Sequence, residues 1–216
     1  MGEFCSKNVH CKPPSKIKST TTSSSSVDSI YDFELRYAPH TGEGECVKVL
    51  FAYLQIPYKE VFLTHPDAQT QLITRVAGVR GTLQCLRHLC KQFGMYPSDV
   101  ITTEGICRKV VDLWRTAKED FYNNNKLNIR NFYSGQLQTF LRELEELVIF
   151  DSEGIVCNQI SMCDILVVTF IYNLFYTKKC KGILKSNAPR LKAFCRRTVN
   201  KYLDVYFSTR KFNLYI

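Results

Sequence analysis

The side chains best suited to chemistry are the ten cysteines, which could bind a metal, form disulfides or act as nucleophiles. They form no CxxC pair and no Cys/His cluster with zinc spacing, so the sequence predicts no metal site. No apolar stretch follows the first charged residues, as it would in a secretory signal. We therefore expect a cytoplasmic protein with free thiols. Cys46, Cys163 and Cys195 fall inside helical apolar patterns, where a thiol packs as a small hydrophobe.

A second polar pair, Ser161 and Asp164, stands at the start of an apolar run. At this spacing the serine can cap the first amides of a helix, while the aspartate reaches back to the amide of residue 161. Such a capping box stabilises a helix by about 1–2 kcal/mol and predicts a structural role. The run 160–176 is shorter than the ~20 residues that span a bilayer and contains Asp164 and Asn173. It predicts a buried helix and not a membrane span.

The elements that must position any site follow from hydrophobic periodicity. Residues 33–37 alternate apolar and charged, which is typical of a half-buried strand. Residues 47–54 place apolar side chains at i, i+3, i+4 and i+7, the stripe of an amphipathic helix. Residues 59–63 predict a second strand. Strand, helix, strand predicts a right-handed βαβ unit with a parallel pair inside a larger sheet.

Beyond Thr82 the pattern is helical almost throughout. It predicts helices over 83–93, 104–121, 133–150 and 160–176, then two basic helices within 189–208. Residues 1–28 are rich in Lys, Pro, Ser and Thr and predict a disordered tail. The tail begins with a formal N-myristoylation pattern, so both a lipidated and an unmodified N-terminus are open. We place an α/β domain at 29–95 and an all-helical domain at 99–216.

The charge is strongly basic, with 29 Lys and Arg against 20 Asp and Glu. From residue 178 onwards eleven Lys and Arg stand against one acid, Asp204, with aromatic residues between them. This distribution fits a nucleic-acid patch or a helix pair whose polar face is basic. Because no nucleic-acid motif accompanies the charges, we favour the helix pair and expect no nucleic-acid partner.

Two segments carry a family resemblance. Residues 33–37, leading into 49–58, and residues 155–166, which hold the Ser161 box, resemble the cytosolic glutathione transferases. The sigma class, with its prostaglandin D synthases and S-crystallins, is the most similar. The resemblance continues through residues 189–194 and 206–212. It implies a thioredoxin-like N-terminal domain, here incomplete, an all-α C-terminal domain, a cytoplasmic homodimer and a role in detoxification and glutathione metabolism.

The resemblance also implies a chemistry centred on Tyr37. The tyrosine classes use a hydroxyl at the end of the first strand to donate a hydrogen bond to the glutathione thiolate. Lowering a thiol pKa by two units takes about 2.7 kcal/mol and raises the thiolate fraction more than twentyfold at neutral pH. Tyr37 occupies that position, which makes it the predicted catalytic residue; a tyrosine that only packs in the strand is the alternative. Glutathione would be a substrate, together with a small electrophile.

The glutathione-binding half departs from the family pattern. Both arginines of the loop after the tyrosine are absent, and Glu43 stands where the second is expected. A carboxylate near the sulfur opposes ionisation. Residues 64–81 number 18, whereas a short helix and two strands with their connections need about 25. We therefore expect part of the helix-plus-hairpin region to be missing, with its cis-proline.

Two residues are weaker candidates for contacting glutathione. Thr82 aligns with the family's ligand-gripping serine, preceded here by Gly81, and could instead be only a helix cap. Tyr58 begins the second predicted strand, where packing is the alternative role. The sequence thus favours a glutathione transferase-like enzyme, followed by a non-catalytic module on the same fold that has lost glutathione binding. A basic binding protein on this scaffold is a third reading.

Overall fold

The computed structural model describes residues 32–38, 44–64, 69–74, 78–122, 126–148, 152–175 and 180–209. Four short strands form one mixed sheet in the order β2-β1-β3-β4. The strands are β1 Phe33–Tyr37, β2 Lys59–Phe62, β3 Gln71–Thr74 and β4 Gly78–Arg80. β1 and β2 are parallel, whereas β1–β3 and β3–β4 are antiparallel.

The predicted βαβ unit is confirmed. Helix α1, Gly44–Leu54, connects β1 to β2 and buries its apolar stripe against the sheet. Phe33, Leu35 and Tyr37 are buried while the charged residues between them are partly exposed, as a period of two requires. Helix α2, Thr82–Gln92, follows β4, and its buried leucines join the same core.

The connection between β2 and β3 is short. Only residues 63–70 join the two strands, and positions 63, 64, 69 and 70 are not helical. The hairpin β3–β4 is present. The predicted shortening of the thioredoxin-like domain therefore stays a prediction that concerns this connection of eight residues.

The rest of the chain is helical. Its α-helices are α3 Val100–Tyr122, α4 Lys126–Asn131, α5 Leu137–Leu147, α6 Met162–Phe175, α7 Cys180–Asn187, α8 Pro189–Thr198 and α9 Asp204–Thr209. Two π-helical turns, Phe132–Gln136 and Val199–Leu203, connect α4 to α5 and α8 to α9. The single helix predicted over 133–150 is thus a π turn followed by α5. The two basic helices predicted within 189–208 form one almost continuous helical run.

Helix α6 is the centre of the helical half, as the apolar run predicts. Its described side chains are buried apart from Tyr172, which is partly buried, and it packs against α1 and α3. Trp114 of α3 meets Phe170 of α6 edge to face, with 5.4 Å between the ring centroids. Among the described residues, no helix combines the length and apolarity needed to cross a membrane. Residues Tyr31–Ile216 form one compact unit; the domain boundary at 95–99 stays a prediction.

Candidate functional site

The candidate site lies at one end of the strands of the sheet, where β1 ends and α1, β3 and α2 begin. Tyr37 is the last residue of β1, and its neighbour Arg36 pairs with Gln71 at the start of β3. Gln71 pairs in turn with Arg80 at the end of β4, two residues before Thr82 opens α2. In open α/β sheets ligands bind outside the carboxyl ends of the parallel strands. Tyr37 lies at the carboxyl end of β1, so the site is at this end of the sheet. Tyr37 and Thr82 are therefore at the same end of the sheet.

The Tyr37 hydroxyl is engaged inside the protein. It donates a hydrogen bond to Glu60 Oε1 of β2 and accepts one from Lys48 Nζ of α1 at 3.0 Å. Lys48 Nζ also lies 2.9 Å from Glu60 Oε1. We call Tyr37, Glu60 and Lys48 the tyrosine triad. The ring is 6% exposed and packs on Gly44, where an added Cβ would lie 2.8 Å from Tyr37 Cβ.

The electrostatics of the triad fix its protonation at neutral pH. Burial, followed by the hydrogen bond to Glu60, raises the pKa of Tyr37 far above its usual range. Burial also acts to raise the pKa of Glu60, but the hydrogen bonds from Tyr37 and Lys48 outweigh it and hold that pKa below its usual value. Tyr37 is therefore a neutral phenol donating to an ionised carboxylate.

A second carboxylate, that of Glu45, links the triad to helix α9. Glu45, in the first turn of α1, lies 3.8 Å from Lys48 Nζ and accepts a hydrogen bond from Tyr206 of α9 at 2.5 Å. Tyr202 packs edge to face on Tyr53 of α1, with ring centroids 5.2 Å apart. The helical segment 189–209 thus contacts α1 through Tyr202 and Tyr206, and the Tyr206 contact lies beside the triad. Around Tyr37 two carboxylates share one lysine.

Thr82 does not act as the predicted cap. Gly81 is the N-cap residue of α2, with φ 89°, and no side chain caps its amides. The Thr82 hydroxyl donates to Thr70 Oγ1 at 3.1 Å, and the Gly81 amide donates to the Thr70 carbonyl at 2.7 Å. Thr82 is 5% exposed. These bonds close the β3–β4 hairpin onto α2, so the prediction that Thr82 is a helix cap is wrong, and its contact with glutathione stays a prediction.

Tyr58 lies one residue before β2 and packs against α1. Its ring stacks on Phe51 with centroids 4.5 Å apart and planes inclined by 15°. Burial, followed by the nearby Glu60 carboxylate, raises the pKa of Tyr58. The stacked ring fits the packing role that the sequence left open, and the glutathione contact stays a prediction.

The Ser161 box is more extensive than predicted. Asp164 Oδ2 accepts the Ser161 amide at 2.7 Å, as expected for a capping box, and the Ser161 hydroxyl at 2.6 Å. Asp164 Oδ1 accepts the amide of Ile155 at 2.7 Å and ties down the preceding loop. The hydroxyl therefore binds the carboxylate, where a helix amide was expected. Burial raises the pKa of Asp164 to about 6, although these hydrogen bonds oppose the shift.

Other predictions fall outside the described residues. They concern the tail 1–28 and Glu43 in the loop after β1. Across the described part of the chain, no group of three or more His, Cys, Asp or Glu side chains could hold a metal ion. The seven cysteines described there are free.

Sequence reasoning missed the partners of Tyr37. Glu60, Lys48, Glu45 and Tyr206 come from β2, α1 and α9, and only the folded chain brings them together. One signal was present: a glutamate in the short strand after α1, with a lysine one turn into that helix. Because β2 lies beside β1 in the parallel pair, this glutamate comes close to the buried tyrosine at the end of β1.

A separate groove lies between α3 and α5. Leu113 and Phe140 form part of its floor, and Lys109 and Glu143 form an ion pair across it. None of the predicted site residues lines this groove. It therefore contributes nothing to the chemistry around Tyr37.

The comparisons with known proteins agree with this architecture. The family model for "Glutathione S-transferase, C-terminal domain" matches residues 111–203. No curated protein matches the chain significantly.

Similar solved structures extend the likeness to the sheet. Prostaglandin synthase D of Nilaparvata lugens has a TM-score of 0.69 at 15% identity, covering 83% of this chain and 98% of its own. The Pi-class glutathione S-transferase of Onchocerca volvulus gives 0.71 at 16%, covering 83% and 93%. A glutathione S-transferase of Caenorhabditis elegans gives 0.67 at 20%, covering 84% and 99%. The chain therefore has the glutathione transferase fold, and no single class of these enzymes is singled out.

Proposed function

We propose that this chain is a glutathione transferase-like module that does not activate glutathione and acts through its folded surface as a structural or interaction protein. The observation that carries the proposal is the hydrogen bond from the Tyr37 hydroxyl to Glu60. A tyrosine has one hydroxyl hydrogen to donate. While Glu60 accepts it, none remains for a thiolate.

The magnitudes support the same conclusion. A hydrogen bond to a charged group contributes about 1.5–3 kcal/mol. Lowering the pKa of a bound thiol by two units takes about 2.7 kcal/mol. To stabilise a thiolate, Tyr37 would have to break its hydrogen bond to Glu60. The two free energies are similar, so the net stabilisation of the thiolate is close to zero. The carboxylates of Glu45 and Glu60 also oppose the ionisation of a thiol bound beside them.

The binding half of the site points the same way. The Thr82 hydroxyl donates to Thr70, and eight residues connect β2 to β3, where the resemblance predicts a longer segment with a short helix. The resemblance assigns the hydroxyl at position 82 to glutathione recognition and that segment to the glutathione-binding half. The engaged Thr82 hydroxyl and the short connection both favour a module that keeps the fold but does not bind glutathione. We also propose that this module is a cytoplasmic homodimer.

An active glutathione transferase is the second candidate, favoured by the position of Tyr37. The residue ends β1 beside the start of α1, at the end of the sheet where the fold places its ligands. In this candidate Tyr37 is the catalytic residue, Thr82 and Tyr58 contact glutathione, and the substrates are glutathione and a small electrophile. A sigma-class enzyme of detoxification is its most specific form.

The test is a calorimetric titration of the full chain with glutathione at neutral pH, with a conjugation assay using a chromogenic aryl halide on the same preparation. Tyr37→Phe serves as the paired variant, because it removes the hydroxyl and keeps the ring. We expect no binding and no conjugation above the uncatalysed rate in either protein. Conjugation by the wild type that falls at least tenfold in Tyr37→Phe would establish the transferase instead.

A further inference from the structure

We infer that Glu60 is the residue that prevents thiol activation at this site. It accepts the one hydrogen that the Tyr37 hydroxyl can donate, and it neutralises the Lys48 ammonium beside that hydroxyl. The inference deepens the proposed loss of thiol activation and rests on it. In this role Glu60 is a positioning residue, because it acts through Tyr37 and Lys48 and not on a ligand.

The geometry gives Glu60 both effects through one oxygen. Glu60 Oε1 accepts the hydrogen of Tyr37 and lies 2.9 Å from Lys48 Nζ. Lys48 Nζ in turn lies 3.0 Å from the Tyr37 oxygen. The lysine side chain is 18% exposed and that of Glu60 is 33% exposed, so water screens the contacts only in part. The carboxylate therefore orients the phenol hydrogen toward β2.

Removing the Glu60 carboxylate would leave a different pair. Lys48 would still donate to the Tyr37 oxygen, and the phenol hydrogen would be free to point elsewhere. A cation bound to a phenol oxygen favours donation from that phenol and stabilises its ionised form. A tyrosine supported by a cation is the arrangement that a thiolate needs. Lys48 would then supply the positive charge that the sequence lacks in the loop after β1.

The remaining charged groups around Tyr37 set the size of the effect. On α1, Glu45 lies 3.8 Å from Lys48 and is held by Tyr206 of α9. Tyr58, near the start of β2, also faces the same region. With Glu60 removed, one carboxylate and one ammonium remain near the phenol. The local charge therefore rises by one unit.

The experiment compares Glu60→Ala with Glu34→Ala, a matched control. Glu34 is also a strand glutamate in ion pairs, with Arg36 and Lys59, and takes no part in the triad. The first readout is the alkaline titration of tyrosinate absorbance, with each protein referenced to its own Tyr37→Phe partner. We expect Tyr37 of the wild type to stay protonated up to the pH at which the protein unfolds, Tyr37 of Glu60→Ala to ionise at a lower pH, and Tyr37 of Glu34→Ala to behave as in the wild type. Glu60→Gln serves the same comparison if the alanine variant does not fold.

The second readout is glutathione conjugation to the aryl halide. The assay uses glutathione at saturating or high millimolar concentration, so that weak binding does not limit the rate. Under these conditions we expect at least a tenfold increase in Glu60→Ala over the wild type, lost again in Glu60→Ala/Tyr37→Phe. An unchanged Tyr37 titration overturns the inference whether or not glutathione binds. A downward titration shift without a gain in conjugation overturns the link to thiol activation. If the wild type itself conjugates glutathione through Tyr37, the proposed function is what fails.

Discussion

Replacing Asp164 by alanine tests the polar contact that joins the loop 152–160 to the central helix α6. The carboxylate accepts the amides of Ile155 and Ser161 and the Ser161 hydroxyl, and it is completely buried. Each buried donor left without a partner costs about 1–3 kcal/mol. Because the hydroxyl can turn to Cys163 Sγ, 3.3 Å away, the two amides dominate. We expect a loss of about 3–5 kcal/mol in the free energy of unfolding.

The assay is urea denaturation followed by circular dichroism at pH 8, with Ser161→Ala as the control. At that pH the carboxylate is ionised, because burial raises the pKa of Asp164 only to about 6. Ser161→Ala keeps both amide bonds and should cost about 1 kcal/mol. For a chain of this size the aspartate variant should melt about 6–20 °C lower. Equal losses in the two variants would refute the reasoning that the backbone amides carry the energy.

Two further substitutions test the surroundings of the site. Gly44→Ala places a Cβ 2.8 Å from Tyr37 Cβ, so we expect a loss of about 1–3 kcal/mol in urea denaturation; a stability equal to the wild type would show that the ring has room. Arg87 of α2 donates two hydrogen bonds to the Glu104 carboxylate of α3 and holds the pKa of that carboxyl below its usual value, so Glu104→Gln should cost about 1–3 kcal/mol at pH 7. This stability is present above pH ~4.5 and lost as the pH falls through the lowered pKa, so the two proteins should converge at pH values below that pKa; a constant difference would exclude the ion pair as the cause.

The parts of the fold that the sequence predicts are those with a full hydrophobic period. The alternation at 33–37 and the stripe at 47–54 place β1 and α1, and the long apolar run places α6. The strands β3 and β4, with four and three residues, are too short to show a period. Burial of Leu72 and pairing with β1 stabilise them, and both depend on the tertiary structure.

The candidate site is less predictable than the fold because its side chains come from distant segments. The resemblance places Tyr37 at the end of β1, and the structure agrees on that position. The direction of its hydroxyl depends on the register of β1 with β2, in which Glu60 stands beside Leu35. Tyr206 is separated from Glu45 by 161 residues. No local pattern encodes such contacts, whereas the Asp164 bond to the amide of residue 161 is local and is predicted correctly.

An active transferase and a module that does not activate glutathione need the same sheet and the same central helix, so the two candidate functions differ only at the site. The difference lies in which acceptor receives the hydrogen of Tyr37. A carboxylate held in place by Lys48 is a permanent acceptor, whereas a thiolate must first be bound and ionised at a further cost in free energy. The permanent acceptor therefore prevails unless glutathione binding supplies more than the triad loses. The Thr82 hydroxyl already donates to Thr70, so it adds little to the free energy of glutathione binding. For this reason we favour the module that does not activate glutathione over the active transferase.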